Sequence, residues 1–212
     1  FRMARIYSVI NNKGGTGKTT TALNFGAALA EKGFRVLLMD FDSQCNLSSA
    51  LGAQHPGAHV GHVLLRKKDI HSAIVTLEKL SLVPSTKKLL DFELLLNSEP
   101  GREYVVQEAL QAVEPDFDFI VMDCPPSLGT LSVNSLVAAD YYIVPMQTEN
   151  FAFLGLDTIL MAAGKVQQRM NSSLELAGIL LTQFADRTKF GRAVVRSIEQ
   201  SPHLKGKLFD TY

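Results

Sequence analysis

Eight consecutive residues, Lys13-Gly14-Gly15-Thr16-Gly17-Lys18-Thr19-Thr20, place a lysine on each side of a glycine loop. The apolar run Ile6 to Ile10 precedes them, and a helix-period segment carrying Leu23, Gly26, Ala27 and Ala30 follows. Strand, glycine loop and helix in that order is a strong constraint on the fold, because it is the local context of a phosphate site. Gly14, Gly15 and Gly17 can take up backbone angles that turn successive N–H groups inward, and the start of the helix adds partial positive charge. The expected cradle for a polyphosphate is therefore Gly14, Gly15, Thr16, Gly17, Lys18, Thr19 and Thr20. Lys18 is placed to reach the β and γ phosphates, and the Thr19 hydroxyl to ligate Mg²⁺. An ordinary strand-to-helix turn has no use for so many glycines and a lysine.

Short apolar runs alternate with helix-length segments along the rest of the chain, which predicts an α/β fold: a doubly wound, mostly parallel sheet with helices on both faces. Strands are expected at Ile6 to Ile10, Val36 to Asp40, Leu80 to Val83, Phe119 to Asp123, Tyr141 to Val144 and Leu176 to Leu181, with a last one beginning near Lys207. Ligands of such sheets collect at the carboxyl ends of strands. Acids there carry more weight than acids elsewhere. Asp40 and Asp42 follow the second strand, and Asp123 ends the run Phe119-Ile120-Val121-Met122. Burial of Asp123 beside the glycine-loop strand requires a cation or hydrogen-bond donors, and Mg²⁺ with its waters supplies them.

Composition narrows the classes. The 212 residues suit one α/β domain, expected over 1–212, and 21 basic against 21 acidic residues give a formal net charge of zero. No global field then recruits nucleic acid or an anionic membrane, so such a contact needs a local patch. Cys45 and Cys124 fit a reducing cytosol better than a disulfide framework. No secretory leader is read, and no run of about 18 apolar residues marks a spanning helix. A cytoplasmic protein is expected. Residues 52 to 62 hold His55, His59 and His62 among glycines and Pro56, and read as a loop with solvated histidines rather than a metal site.

The strict G-x-x-x-x-G-K-[ST] pattern is broken at Asn12, and Lys13 is extra. In this the segment resembles the deviant Walker A loop, K-G-G-x-G-K-T, of the ParA and MinD type ATPases. The resemblance extends to Asp40-Phe41-Asp42-Ser43-Gln44, similar to the first switch D-x-D-x-Q, and to Asp123-Cys124-Pro125-Pro126-Ser127, similar to the second. It runs from Ile6 to about Tyr212 and includes Tyr141 to Pro145 and Gly178 to Phe184. It implies ATP and Mg²⁺ as ligands and a homodimer formed on ATP binding, with Lys13 crossing to the partner's nucleotide. It also implies Asp42 orienting the attacking water and Asp40 near the Mg²⁺ water shell, so Lys13, Lys18 and Asp42 are the expected catalytic set and Thr19, Asp40 and Asp123 the metal set. The family's proline-arginine-asparagine loop and terminal helices have no counterpart before Tyr212, so the domain is expected to lack that end.

Arg187, Lys189, Arg192 and Arg196 cluster on a segment expected to become helical near Phe190, with Arg192 and Arg196 as i,i+4 neighbours. The resemblance to ParA and Soj proteins implies non-specific DNA binding there, nucleoid association, and release through a ParB-like adaptor that stimulates a slow hydrolysis. A basic face that is merely solvated fits the same residues. Other readings on the same scaffold are a MinD-like regulator at a membrane, a metabolic or redox P-loop enzyme, and a scaffold that does not hydrolyse.

Overall fold

The computed structural model describes residues 3–53, 57–148, 152–184 and 189–211. The elements run β1 (Arg5–Val9), α1 (Lys18–Glu31), β2 (Val36–Asp40), α2 (Asn46–Ala50), α3 (Val60–Leu64), β3 (Val75–Thr76), β4 (Ser81–Val83), α4 (Leu89–Leu96) and α5 (Val105–Gln111), and then β5 (Phe119–Asp123), α6 (Thr130–Ala138), β6 (Tyr141–Gln147), α7 (Ala152–Arg169), β7 (Glu175–Thr182) and α8 (Lys189–Gln200). The sheet order is β3-β4-β2-β5-β1-β6-β7. All pairs are parallel except β3 with β4.

The two central strands explain why helices cover both faces. Val36-Leu37-Leu38-Met39-Asp40 and Phe119-Ile120-Val121-Met122-Asp123 are buried at every position, so neither face can be left in water. Successive side chains point to opposite faces. Val36, Leu38, Phe119 and Val121 join Val9 and Ala22 in a smaller core beneath α1 and α2. Leu37, Met39, Ile120 and Met122 belong to the larger core on the other face, with Leu136, Leu156, Ile159 and Val194 of α6, α7 and α8. Each fully buried leucine contributes roughly 1.5–3 kcal/mol. α1 lies close on the sheet because Gly26 faces it: a Cβ there would sit 2.5 Å from Leu38 Cδ2.

Six of the seven expected strands are present, with ends shifted by one to three residues at four of them, and the last, expected to begin near Lys207, does not form among the described residues. The two-residue β3 was not foreseen, because two half-exposed residues give no periodicity to read. Near Lys207, Leu208 makes an isolated parallel bridge to Ile179. The expectation of a loop over residues 52–62 is corrected at its end: Val60–Leu64 is helical, with Val60, Val63 and Leu64 buried. His59 is not solvated either. Its ring stacks on His62 at 3.8 Å and meets Phe92 edge-on at 5.1 Å, because apolar spacing draws the segment onto α4. His55 lies outside the described residues.

Candidate functional site

Register brings the site together. Val9 on β1 is level with Asp123 on β5, and Asp123 is level with Asp40 on β2. By the alternation above, both carboxylates point to the face covered by α1, whose first turn begins where the glycine loop ends. The residues expected to hold phosphate and Mg²⁺ thus converge at the carboxyl edge of the three central strands.

The loop is held open by the ends of neighbouring strands. Buried Asn11 donates from Nδ2 to the Pro145 carbonyl at 2.7 Å and accepts the Lys13 N–H at 3.0 Å, which fixes the first bend. Gln147 Nε2 donates to the Gly15 carbonyl at 2.7 Å, and the Thr182 hydroxyl donates to the Thr16 carbonyl at 2.9 Å. Gly15 and Gly17 have φ of +75° and +87°, a region open to glycine; Gly17 caps α1. Gly14, expected to behave likewise, is absent from the positive-φ set. A Cβ on Gly14 or Gly15 would meet nothing within 4 Å, so no side chain packs over the loop there.

Lys18 is buried and donates from Nζ to the Lys13 carbonyl at 2.9 Å. Desolvation lowers its pKa, opposed by the charges of Asp123, Cys124 and Asp42. Asp123 is fully buried, and neither of its oxygens has a hydrogen-bond partner among the described residues. Burial pushes its pKa up to about 7, against the Thr19 hydroxyl and the Lys18 charge, which favour the ionised form. An orphaned carboxylate beside a buried ammonium and a threonine hydroxyl fits a divalent cation. Asp42 is buried, with Oδ1 accepting the Gln44 N–H at 2.9 Å. Its charge is felt at both Lys18 and Asp123. Lys13 and Thr20 are exposed, and Thr19 is half-buried.

Asp40, expected near the Mg²⁺ water shell, is built into the protein's own hydrogen bonds. It is fully buried, and its oxygens accept hydrogen bonds from the N–H of Asp42 and from both the N–H and the hydroxyl of Ser48. Three of its roughly four lone-pair sites are thus taken up within the protein. Of the basic cluster, Arg192 and Arg196 are exposed on one face of α8, opposite buried Val194 and Ile198. Lys189 begins that helix, its side chain outside the description, and Arg187 lies outside the described residues. Asn11, Gln147, Thr182 and Ser48 were not legible as site residues. Their roles are tertiary contacts, and only position at a strand end marks Gln147 and Thr182.

A glycine loop braced between strand ends, a buried lysine and acids on adjacent strands define a P-loop nucleotide-binding protein. Its relatives agree. Residues 4–176 match the AAA domain family. The sporulation initiation inhibitor protein Soj of Bacillus subtilis is 38% identical over 99% of this chain and 83% of its own length. The chromosome-partitioning ATPase Soj of Treponema pallidum is 38% identical over 99% of this chain and 82% of its own. Among solved structures, cobyrinic acid a,c-diamide synthase from Mycobacterium smegmatis, with bound ADP and magnesium, superposes with a TM-score of 0.90 at 40% identity, over 95% of this chain and 84% of that one. The chain belongs to the AAA domain family and, within it, to the ParA/Soj type of ATPase. Among the described residues, no helix is long and apolar enough to cross a membrane.

Proposed function

We propose that this chain is a ParA-type switch that binds ATP and Mg²⁺, closes as a homodimer, and holds non-specific DNA until hydrolysis releases it. The observation that carries the reading is the fully buried Asp123 carboxylate, which among the described residues has only the Thr19 hydroxyl and the Lys18 charge to favour its ionised form, at the mouth of the glycine loop. Backbone N–H groups of Gly14 to Thr20 and the Lys18 amine would bind the phosphates, replacing the Lys13 carbonyl as the partner of Lys18. Thr19 and Asp123 would hold Mg²⁺, which supplies positive charge at the β and γ oxygens. Asp42 would orient water in line with the γ-phosphorus; as the new P–O bond forms, the bond to the ADP oxygen breaks and the water's proton passes to a phosphate oxygen or the solvent. Lys13, exposed at the rim of the loop, would serve the nucleotide of the second subunit.

DNA contact is assigned to Arg187, Lys189, Arg192 and Arg196. A few phosphate contacts per subunit give weak, salt-sensitive binding that a dimer strengthens. The name of the T. pallidum relative, a chromosome-partitioning ATPase, favours a partitioning role; a ParB-like adaptor as activator and the nucleoid as location complete the proposal. Mixing the protein with non-specific DNA and following the bound fraction in ATP, in ADP and without nucleotide tests the whole reading. Retention in ATP with release in ADP is expected; equal binding in all three contradicts it.

A second reading draws on the name of the M. smegmatis structure: an ATP-using amide synthase on the same scaffold. ATP-dependent amidation of cobyrinic acid by the purified protein would establish it and displace the partitioning role.

A further inference from the structure

The loop that carries Asp42 is tied to β5 by the Phe41 N–H on the Asp123 carbonyl at 2.9 Å and, beyond that, to the buried Asp40 carboxylate. Asp40 Oδ1 accepts the Asp42 N–H at 3.0 Å, while Oδ2 accepts the Ser48 N–H at 2.8 Å and the Ser48 hydroxyl at 2.6 Å. Ser48 Oγ in turn accepts the Ser85 N–H at 2.9 Å, just beyond the end of β4. Asp40, Ser48 and Ser85 are all buried. Within the loop, the Cys45 N–H reaches the Asp42 carbonyl at 2.9 Å, and Cys45 takes a left-handed φ of +54° to start α2.

The side chain of Ser48 therefore has a defined task. Its one hydroxyl proton goes to a carboxylate, at a distance typical of strong charge-assisted bonds. Its lone pair accepts a backbone N–H that would otherwise be buried unpaired. Through Asp40 the same network fixes the Asp42 backbone, two residues beyond the sheet, and ties it to the neighbouring β4. A reacting group displaced by about 1 Å can cost a hundredfold in rate.

We propose that Ser48 is a positioning residue for hydrolysis, setting through Asp40 where the Asp42 carboxylate stands against the phosphate cradle. The assignment rests on the reading of Asp42 as the water-orienting acid. Binding of nucleotide uses other groups, so Ser48 acts on turnover and not on affinity.

The test compares steady-state ATP hydrolysis by wild type, Ser48→Ala, Ser48→Thr and Asp42→Ala, with thermal melting of each. Ser48→Ala is expected to lower kcat about tenfold or more while KM stays within about twofold, and Ser48→Thr, which keeps the hydroxyl, to recover most of the rate. Where Ser48→Ala does not fold, Ser48→Cys keeps the volume with a weak donor and is expected to show the same loss confined to kcat. Wild-type turnover in these variants, a proportionate rise in KM, or no rescue by threonine overturns the proposal. Normal hydrolysis by Asp42→Ala overturns the reading of Asp42 and this proposal with it. An inactive Asp42→Ala beside a fully active Ser48→Ala overturns the positioning role alone.

Discussion

Asp40 and Asp123 stand level on adjacent strands and point to the same face, yet Asp40 accepts three hydrogen bonds while Asp123 has no hydrogen-bond partner among the described residues. The difference divides their work. A carboxylate that accepts from two backbone N–H groups and a serine hydroxyl organises the loop beside it. One that faces only a buried lysine and a threonine hydroxyl, with no backbone N–H to accept among the described residues, is arranged for a cation, and its burial is a cost the free protein bears.

That cost has a pH signature. The unfolded Asp123 carboxyl ionises near its ordinary 3.8, whereas in the fold it keeps its proton up to about 7. Between those values only the unfolded chain is ionised, so the stabilising effect of the raised pKa is fully present below about 4 and is lost as pH rises towards 7. Urea unfolding of wild type and Asp123→Asn should show the wild type losing on the order of 2–4 kcal/mol relative to the variant across this window. Parallel pH profiles would show that burial does not strain the carboxylate. The same variant should lose Mg²⁺-dependent nucleotide binding.

His59 works in the opposite sense and at the other end of the range. Burial, with the His62 and Lys68 charges next, lowers its pKa from 6.5 to about 4. Its contribution is therefore present above 6.5 and lost as pH falls towards 4, where the unfolded imidazole gains a proton that the stacked one refuses. His59→Phe, which keeps an aromatic ring against His62 and Phe92, should gain several degrees of melting temperature relative to the wild type as pH falls from 6.5 to 4, whatever the slope the two proteins share. Equal slopes for the two proteins would remove His59 from the account.

Gln147 and Thr182 should matter for nucleotide more than for stability. Each donates one hydrogen bond to a carbonyl of the glycine loop, and one such bond is worth about 0.5–1.5 kcal/mol. Gln147→Ala and Thr182→Val are expected to weaken ATP binding about three- to tenfold by calorimetry, with little change in melting. Unchanged affinity in both would mean that the loop holds its shape unaided.

How much of this was legible beforehand follows from what each feature depends on. The strands were readable because continuous apolar runs such as Val36 to Met39 and Phe119 to Met122 have few other uses, and the glycine loop because its spacing is tied to one ligand chemistry. The level placement of Asp40 and Asp123 was not, since register is a property of pairing and not of either strand. Nothing local marks Ser48 or Asn11, whose partners lie on other elements of the sheet. His59 was misread because Gly57, Gly61 and Pro56 signal a loop, while its burial comes from Phe92 on a helix far along the chain.

The central claim, that Lys13 serves the nucleotide of the second subunit, is tested most directly by mixing two inactive proteins. In a mixed dimer of Lys13→Ala and Asp42→Ala, the site on the Lys13→Ala subunit keeps its own Asp42 and receives the partner's lysine. With random pairing in a two-fold dimer, an equimolar mixture should recover about a quarter of wild-type ATP turnover. Activity no higher than that of either variant alone, with mixed dimers shown to form, would contradict the account.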